Sequence, residues 1–367
     1  MAKSRLHALA ERGQSIWIDN LSRELVHSGE LARLIDEDAV TGITSNPTIF
    51  QKAISGSSDY DAQLKDSPDD LDPTEVFFRL AIQDIRDACD MLRPVWKQTG
   101  GADGYVSLEV DPGLAYDTEG TLAQALDLHG RVERSNLYVK IPATAAGLPA
   151  IEDCIALGRS INVTLIFSLE RYAAVVEAYL RGVERLVEDG GDPSTVSSVA
   201  SFFVSRIDTE TDRRLEELGN KALQGKLAIA NARLAYKHFQ ETLAGARWEA
   251  LVGEGASKQR PLWASTSTKN PAYRDVMYVE ELIGPDTVDT MPPETIEAFQ
   301  DHGEVRGDTV LEGWADAERL LSDLAGVGVD YDDVVETLEA EGVQKFADSF
   351  AELLDGIRAK RAELARA

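Results

Sequence analysis

Short patterns typical of β-strands alternate with longer helical patterns along this chain, and this alternation constrains the fold more than any other feature. Eight apolar runs of strand length occur, the last with the weakest pattern, at residues 16–19, 42–46, 105–111, 137–142, 161–167, 196–203, 261–266 and 286–291. Alternation of strands with helices is typical of βα units and a parallel sheet. Eight such units without a nucleotide-binding glycine fingerprint favour a closed barrel over a doubly wound sheet. We therefore predict an α/β fold of the (β/α)8 TIM-barrel type.

The segments between these runs carry signals for the starts and ends of helices. Asp72 and Pro73 supply an N-cap and a first-turn proline, and Glu75 completes a capping pattern. Helices are predicted at residues 148–157, 169–188, 221–243 and 330–365, with two more between residues 51 and 104. No strand pattern follows Thr309. Additional C-terminal helices, from about residue 309, are therefore expected to pack on a single barrel domain spanning residues 1–367.

The charge balance of the chain excludes several classes of partner. With 37 basic and 64 acidic residues the formal net charge is −27, which would repel nucleic acid and anionic membranes. No apolar run approaches the roughly 20 residues of a membrane span, and the segment from Met1 to Asn20 lacks the apolar core of a signal peptide. Cys89 and Cys154 have no metal-ligand spacing. We expect a cytoplasmic protein without a metal site, in which an anionic substrate would need a locally basic pocket.

Three of the strand patterns carry a charged residue on the face opposite their apolar side chains. Side chains alternate between the two faces of a strand, so Lys140 opposes Val139 and Ile141. Glu109 and Asp19 are placed in the same way in their own strands. In a barrel, the apolar face packs under the helices and the other face points inward. The polar residues of these strands mostly lie late in them, which predicts a position at the C-terminal mouth, where barrel active sites lie.

A lysine directed into a barrel has a defined chemistry. Desolvation and nearby positive charge favour its neutral amine, which attacks a ketone and forms an iminium ion that accepts electrons as a carbon–carbon bond breaks. The reaction also needs a proton shuttle and a base. Lys140, Glu109 and Asp19 supply these three parts without a metal or an organic cofactor. A buried structural ion-pair network is the alternative interpretation of the same residues.

Five motifs around these residues resemble those of the transaldolase family. They are TSNPT at residues 44–48, VSLEVD at 106–111, YVKIPAT at 138–144, NVTLIFS at 162–168 and SFFVSRI at 201–207. Their order and spacing also fit that family, and the resemblance extends from Asp19 to about Asn270. The segments PLWAST at 261–266 and TKNP at 268–271 are similar to those of the longer subgroup of transaldolases.

The resemblance implies a reaction of the pentose phosphate pathway. A dihydroxyacetone unit would pass from sedoheptulose 7-phosphate or fructose 6-phosphate to an aldose phosphate, catalysed by a transferase of aldehyde or ketone residues. Lys140 would form the Schiff base, and Glu109 would act through a water molecule held by Thr164 to expel the carbinolamine hydroxyl. Asp19 would take the proton of the C4 hydroxyl as the C3–C4 bond breaks.

The resemblance also implies a set of substrate-binding residues. They are Asn46, Asn162, Ser201, Phe203, Arg206, Ser265 and Lys269. The two asparagines and the first serine would hold the hydroxyl groups of the retained fragment, and Arg206 would bind phosphate. Many family members have an arginine near the place of Ser267. Lys269 is expected to add positive charge for phosphate binding there. Its ammonium group acts as a point charge, whereas the guanidinium of arginine can donate two parallel hydrogen bonds.

Two alternatives to a transaldolase stay open on the sequence. Fructose-6-phosphate aldolases resemble this chain but are much shorter, and they carry Gln at the place of Glu109 and Tyr at that of Phe203; both differences favour transfer. A non-catalytic sugar-phosphate-binding barrel would keep Arg206 but would not need Lys140 as a reactive amine. The acidic helix predicted from Asp330 is interpreted as a packed amphipathic helix, and the sequence leaves open whether it forms a homodimer surface.

Overall fold

Eight parallel strands close into a barrel in the order in which they occur along the chain. The computed structural model describes residues 4–68 and 70–366; the remaining residues, which include both ends of the predicted domain, lie outside the described part. The strands are β1 Gln14–Asp19, β2 Val40–Thr44, β3 Val106–Glu109, β4 Leu137–Pro142, β5 Ile161–Ile166, β6 Ser198–Phe203, β7 Gln259–Ala264 and β8 Thr287–Met291. Neighbours in sequence are hydrogen-bonded, and β8 pairs with β1. The predicted (β/α)8 barrel is confirmed.

Sixteen α-helices surround the strands within the described residues. They are α1 Arg5–Ala10, α2 Arg23–His27, α3 Glu30–Asp38, α4 Pro47–Gly56, α5 Asp61–Lys65, α6 Pro73–Gln98, α7 Thr118–Val132, α8 Gly147–Ala156, α9 Leu169–Glu188, α10 Ser205–Glu217, α11 Leu227–Leu243, α12 Ala246–Gly253, α13 Met277–Glu281, α14 Pro293–His302, α15 Trp314–Gly326 and α16 Tyr331–Leu364. Short 3-10 turns lie at Pro112–Leu114, Pro193–Thr195, Lys221–Leu223 and Thr309–Leu311. No described helix combines the length and the apolar character that crossing a membrane requires.

Two of the helix predictions are wrong in detail. The connection between β2 and β3 holds three helices and not two, because α4 begins directly after β2. Its N-cap is Asn46, whose side chain accepts a hydrogen bond from the Ile49 amide, and Pro47 occupies the first turn. The helix predicted at residues 221–243 begins only at Leu227. Gly225 has φ of +69°, a left-handed conformation that interrupts a helix.

The register of the strands brings three polar residues to one level of the barrel. Glu109 in β3 pairs with Lys140 in β4, and Lys140 pairs with Asn162 in β5. Val139 and Ile141, the neighbours of Lys140 within its strand, are fully buried in the hydrophobic core. The alternation of side chains in the sequence therefore separates an apolar outer face from a polar inner one.

An irregularity in β5 lies next to the polar level. The pairing of β5 with β6 shifts register between Val163 and Ile166, and Leu165 takes a left-handed conformation with φ of +58°. Bulges of this kind bend a strand and redirect its side chains, and they are common beside active sites. Thr164 lies within this irregular segment.

The long helix α16 crosses the mouth of the barrel. A Cβ atom built on Gly342 would lie 3.2 Å from Leu165 Cδ2, so the absence of a side chain lets the helix approach β5 closely. Further along, the Thr48 hydroxyl donates to Ser349 Oγ at 3.0 Å and ties α16 to α4. Near the end of α16, Lys360 Nζ donates to the Ile54 carbonyl at 2.9 Å. The helix is therefore fixed in place across the carboxyl ends of the strands.

Candidate active site

A polar cavity of about 690 Å³ opens at the carboxyl ends of the strands. Nine of the eleven predicted site residues line it: Asp19, Asn46, Lys140, Thr164, Ser201, Phe203, Arg206, Ser265 and Lys269. The other two, Glu109 and Asn162, lie beside the lining residues and contact Lys140 and Ser201. The structure thus brings together residues from seven strand ends, since only β8 contributes none of the predicted set.

The amine of Lys140 lies inside the barrel, in contact with an acidic group. The residue is 5% exposed, and its Nζ donates a hydrogen bond to the Ser45 carbonyl at 2.9 Å. The distance from Nζ to Glu109 Oε2 is 3.5 Å. Burial raises the pKa of Glu109, and the positive charge of Lys140 opposes that rise. A carboxyl group with a raised pKa keeps its proton to a higher pH than an ordinary glutamate, which suits a proton shuttle.

The second carboxyl group, Asp19, is oriented by a chain of hydroxyls. Thr44 Oγ1 donates to Asp19 Oδ1 at 2.7 Å and lies 2.6 Å from Thr290 Oγ1. Burial raises the pKa of Asp19, while Lys140 and the Thr44 hydrogen bond lower it. Both carboxyl groups therefore interact with the amine of Lys140, and each contacts a side chain of the neighbouring strand: Asp19 contacts Thr44 of β2, and Glu109 contacts Lys140 of β4.

Hydrogen bonds also fix the orientation of the amide of Asn162. Ser201 Oγ donates to Asn162 Oδ1 at 2.6 Å, and Asn162 Nδ2 donates to Ser107 Oγ at 3.1 Å. The hydroxyl of Thr164 is buried and has no hydrogen-bond partner among the described residues. A buried hydroxyl without a protein partner is a costly arrangement, which an ordered water molecule would relieve.

Four cationic side chains line the cavity besides Lys140. They are Lys52, Arg206, Lys269 and Lys345, and none forms a salt bridge with a described residue. Burial lowers the pKa of Arg206. Loss of hydration also lowers the pKa of Lys269; Glu294 opposes this effect, and the nearby charges of Lys345 and Arg206 add to it. Arg206, Lys269 and Lys345 are thus close enough for their charges to act on one another, and an anion between them would be stabilised.

The loop after β7 is tied to the helix that carries Arg206. Ser265 has φ of +58°, and its Oγ lies 2.9 Å from Ser205 Oγ at the start of α10. Its carbonyl also accepts a hydrogen bond from the Ser205 amide at 3.1 Å. Lys269 is exposed at the rim, where its Nζ donates to Ser267 Oγ at 2.6 Å. Ser265 therefore borders the position of Arg206, whereas Lys269 lies at the edge.

Residues 16–357 match the family model described as "Transaldolase/Fructose-6-phosphate aldolase". The chain belongs to this family. It is 54% identical to "Transaldolase" of Acidothermus cellulolyticus over 95% of this chain and 94% of that protein. Identity to "Transaldolase" of Frankia alni is 52% over 96% of both chains, and identity to "Transaldolase 2" of Streptomyces coelicolor is 51% over 98% of both. This chain is thus similar to transaldolases over nearly its full length.

One part of this family member's cavity was missed by sequence reasoning, namely the contribution of α16. The ring of Phe346 lies 5.9 Å from Lys140 Nζ and 5.9 Å from Arg206 Cζ, measured to the ring centroid. Lys345, the preceding residue, also lines the cavity. The apolar periodicity of the helix predicted its buried face but gave no signal of what that face would cover.

Proposed function

We propose that this protein is a transaldolase (EC 2.2.1.2), which transfers a dihydroxyacetone unit from a ketose phosphate to an aldose phosphate through a Schiff base on Lys140. The observation that carries the proposal is the buried amine of Lys140, 3.5 Å from Glu109 in a cavity that also holds Asp19 and unpaired cations. The names of relatives matched over nearly the whole chain support it. Sedoheptulose 7-phosphate or fructose 6-phosphate would be the donor, in the cytoplasmic pentose phosphate pathway.

The first half of the reaction builds the Schiff base. The neutral amine of Lys140 attacks the C2 carbonyl of the donor and gives a carbinolamine. Its hydroxyl must leave as water, which needs a proton. Glu109, whose pKa is raised by burial, would supply that proton through a water molecule on Thr164. The Thr164 hydroxyl has no partner among the described residues, which supports a water molecule there. Loss of water leaves an iminium ion between Lys140 and C2.

The second half breaks and remakes a carbon–carbon bond. Asp19 takes the proton of the C4 hydroxyl, the C3–C4 electron pair moves into the iminium, and the aldose phosphate leaves as an aldehyde. The resulting enamine keeps three carbons, whose hydroxyls Asn46, Asn162 and Ser201 would hold. Attack of the enamine carbon on the acceptor aldehyde reverses these steps, and hydrolysis of the new iminium frees the product and the amine.

The phosphate of each substrate would bind at the cationic end of the cavity. Arg206 is the main candidate because it is partly buried, lines the cavity and forms no salt bridge with a described residue, and because Ser265 lies beside its helix. Lys269 would add charge from the rim. Arginine suits phosphate because its planar fork can donate two parallel hydrogen bonds.

Borohydride trapping tests the proposal directly. The protein is reduced with borohydride in the presence of fructose 6-phosphate, and its peptides are analysed by mass spectrometry. A three-carbon adduct should appear on the peptide containing Lys140 and should be missing from a Lys140→Arg variant, which retains the positive charge. An adduct on another lysine, or none with an active protein, would overturn the assignment.

A second assay separates transfer from simple cleavage. Free dihydroxyacetone is measured with fructose 6-phosphate alone, and transfer is measured after erythrose 4-phosphate is added. Glu109 and Phe203 stand where the shorter aldolases carry Gln and Tyr, so transfer should dominate. Release exceeding transfer would identify an aldolase instead.

A further inference from the structure

The C-terminal helix α16 places an aromatic ring between the two functional ends of the cavity. Phe346 is 8% exposed and lines the cavity, and its ring is equally distant, at 5.9 Å, from Lys140 Nζ and from Arg206 Cζ. If Lys140 binds the ketone and Arg206 the phosphate, the carbon chain of the substrate must pass beside this ring. Apolar surface at such a point positions a substrate and excludes water.

The ring is held firmly, so it can act as a fixed wall. Gly342, one turn earlier, allows α16 to lie against Leu165 in the irregular segment of β5. Ser349, about one turn later, accepts the hydrogen bond from Thr48 on α4. The ring of Phe203 also lies near Arg206, with its centroid 5.2 Å from the guanidinium carbon. The two aromatic rings therefore border the guanidinium, and the one from α16 also faces the amine.

The Phe346 ring can also stabilise positive charge on the Lys140 nitrogen through a cation–π interaction. The face of an aromatic ring attracts a cation within about 6 Å of its centroid. During the proposed reaction the nitrogen of Lys140 becomes an iminium cation, so a ring at 5.9 Å stabilises that state without offering water or a proton. A polar side chain in the same place would bring water and a proton source nearer to the enamine.

We propose that Phe346 contacts the substrate and keeps bulk water away from the three-carbon enamine on Lys140, so that this unit is transferred and not released; the single water molecule on Thr164 remains available for the steps that the reaction needs. This inference rests on the proposed transaldolase function. The competing reaction is hydrolysis: the enamine carbon takes a proton, water adds to C2 of the iminium, and collapse frees dihydroxyacetone and the amine. By limiting the access of bulk water, and of the protons it brings, to the enamine carbon, the Phe346 ring keeps the enamine available for the acceptor aldehyde.

A matched control exists on the same helix. Phe350 lies one turn beyond Phe346, is 6% exposed, and packs edge-on against Phe77 with ring centroids 5.4 Å apart. It is not among the residues that line the cavity. Truncation of either ring removes a buried aromatic side chain from α16, but only one truncation changes the wall of the cavity.

The experiment compares Phe346→Ala and Phe346→Leu with Phe350→Ala and Phe350→Leu. For each, we would measure the melting temperature, kcat, donor KM, and the ratio of dihydroxyacetone released to three-carbon units transferred. Phe346→Ala should raise that ratio by roughly tenfold, with a higher donor KM. Phe346→Leu, which keeps most of the apolar volume, should raise it less. The Phe350 variants should lower the melting temperature without changing the ratio.

Each outcome decides the matter. An unchanged ratio in both Phe346 variants would overturn the inference, as would an equal change in the Phe350 variants, since the effect would then come from loosening of α16. If an Ala variant does not fold, the Leu pair gives the comparison. Borohydride trapping on Lys140 of the unaltered protein is run alongside. Its failure would refute the transaldolase proposal, whereas normal trapping with an unchanged ratio would refute only the role of Phe346.

Discussion

Replacement of Asp289 by asparagine should stabilise the protein increasingly as the pH rises. Asp289 lies in β8 and is completely buried. Its Oδ1 accepts a hydrogen bond from Thr266 Oγ1 at 2.9 Å, while Oδ2 has no partner among the described residues. Burial raises the pKa of Asp289 from 3.8 to about 7, and the Thr266 hydrogen bond offsets only part of that effect. The charged form is therefore disfavoured in the folded protein.

The sign and size of the effect follow from proton linkage. Because the folded pKa is above the unfolded one, the folded state binds more protons between pH 4 and 7, and Asp289 lowers stability as the pH rises through that window. A pKa of about 7 against 3.8 corresponds to a cost of about 4 kcal/mol at pH 8, where both states are largely ionised. At pH 5 the same two values give a cost of only about 2 kcal/mol.

Urea unfolding of the wild type and of Asp289→Asn at pH 5 and pH 8 would measure this. Asparagine does not titrate, so any fixed cost of its amide cancels when the two pH values are compared. The stability of the variant relative to wild type should increase by roughly 2.5 kcal/mol from pH 5 to pH 8. A difference that does not change with pH would refute the reasoning, since Asp289 would then keep one protonation state throughout.

Three further predictions concern the cavity. Glu109→Gln should lower kcat by about 10² to 10⁴ through loss of the proton shuttle, with little change in donor KM; steady-state rates within threefold of wild type would contradict that role. Thr44→Val removes a hydrogen bond that lowers the pKa of Asp19, so that pKa should rise. The acid limb of the kcat–pH profile should then move to higher pH. An unmoved limb would exclude Asp19 as the base. Arg206→Ala should raise KM for a sugar phosphate by roughly tenfold or more while leaving KM for unphosphorylated glyceraldehyde nearly unchanged; equal effects on both would place the phosphate elsewhere.

The barrel itself could be predicted from the sequence because its signals are local. Strand β4 was predicted with the observed bounds, and so was α9, which begins after the Ser168 cap. The errors arose where one residue changes the local geometry. Asn46 caps α4 earlier than the apolar pattern indicates, and Gly225 delays α11. Caps and left-handed glycines set helix ends, which hydrophobic periodicity does not resolve.

The inner face of the candidate site was also predictable, since β-strand alternation places Lys140 and Glu109 on one face and parallel register pairs them. The covering helix was not. That α16 would lie across the mouth depends on Gly342 meeting Leu165 and on the Thr48–Ser349 hydrogen bond, and these contacts join parts of the chain that no local pattern connects. A long-range contact of a single glycine has no signature in one sequence.

The acidic surface of the protein repels an anionic substrate only at distances where salt screens the repulsion. The formal charge of −27 acts mainly through solvent, where salt screens it beyond about 8 Å at physiological ionic strength. The guanidinium of Arg206 acts inside the cavity, in a medium that screens far less. It forms no salt bridge with a described carboxylate, although the charge of Glu341 acts on it from a distance. Cellular salt therefore weakens the repulsion of an approaching sugar phosphate more than it weakens the final contact. An acidic surface and a phosphate site can coexist in one chain because the two interactions operate at different ranges.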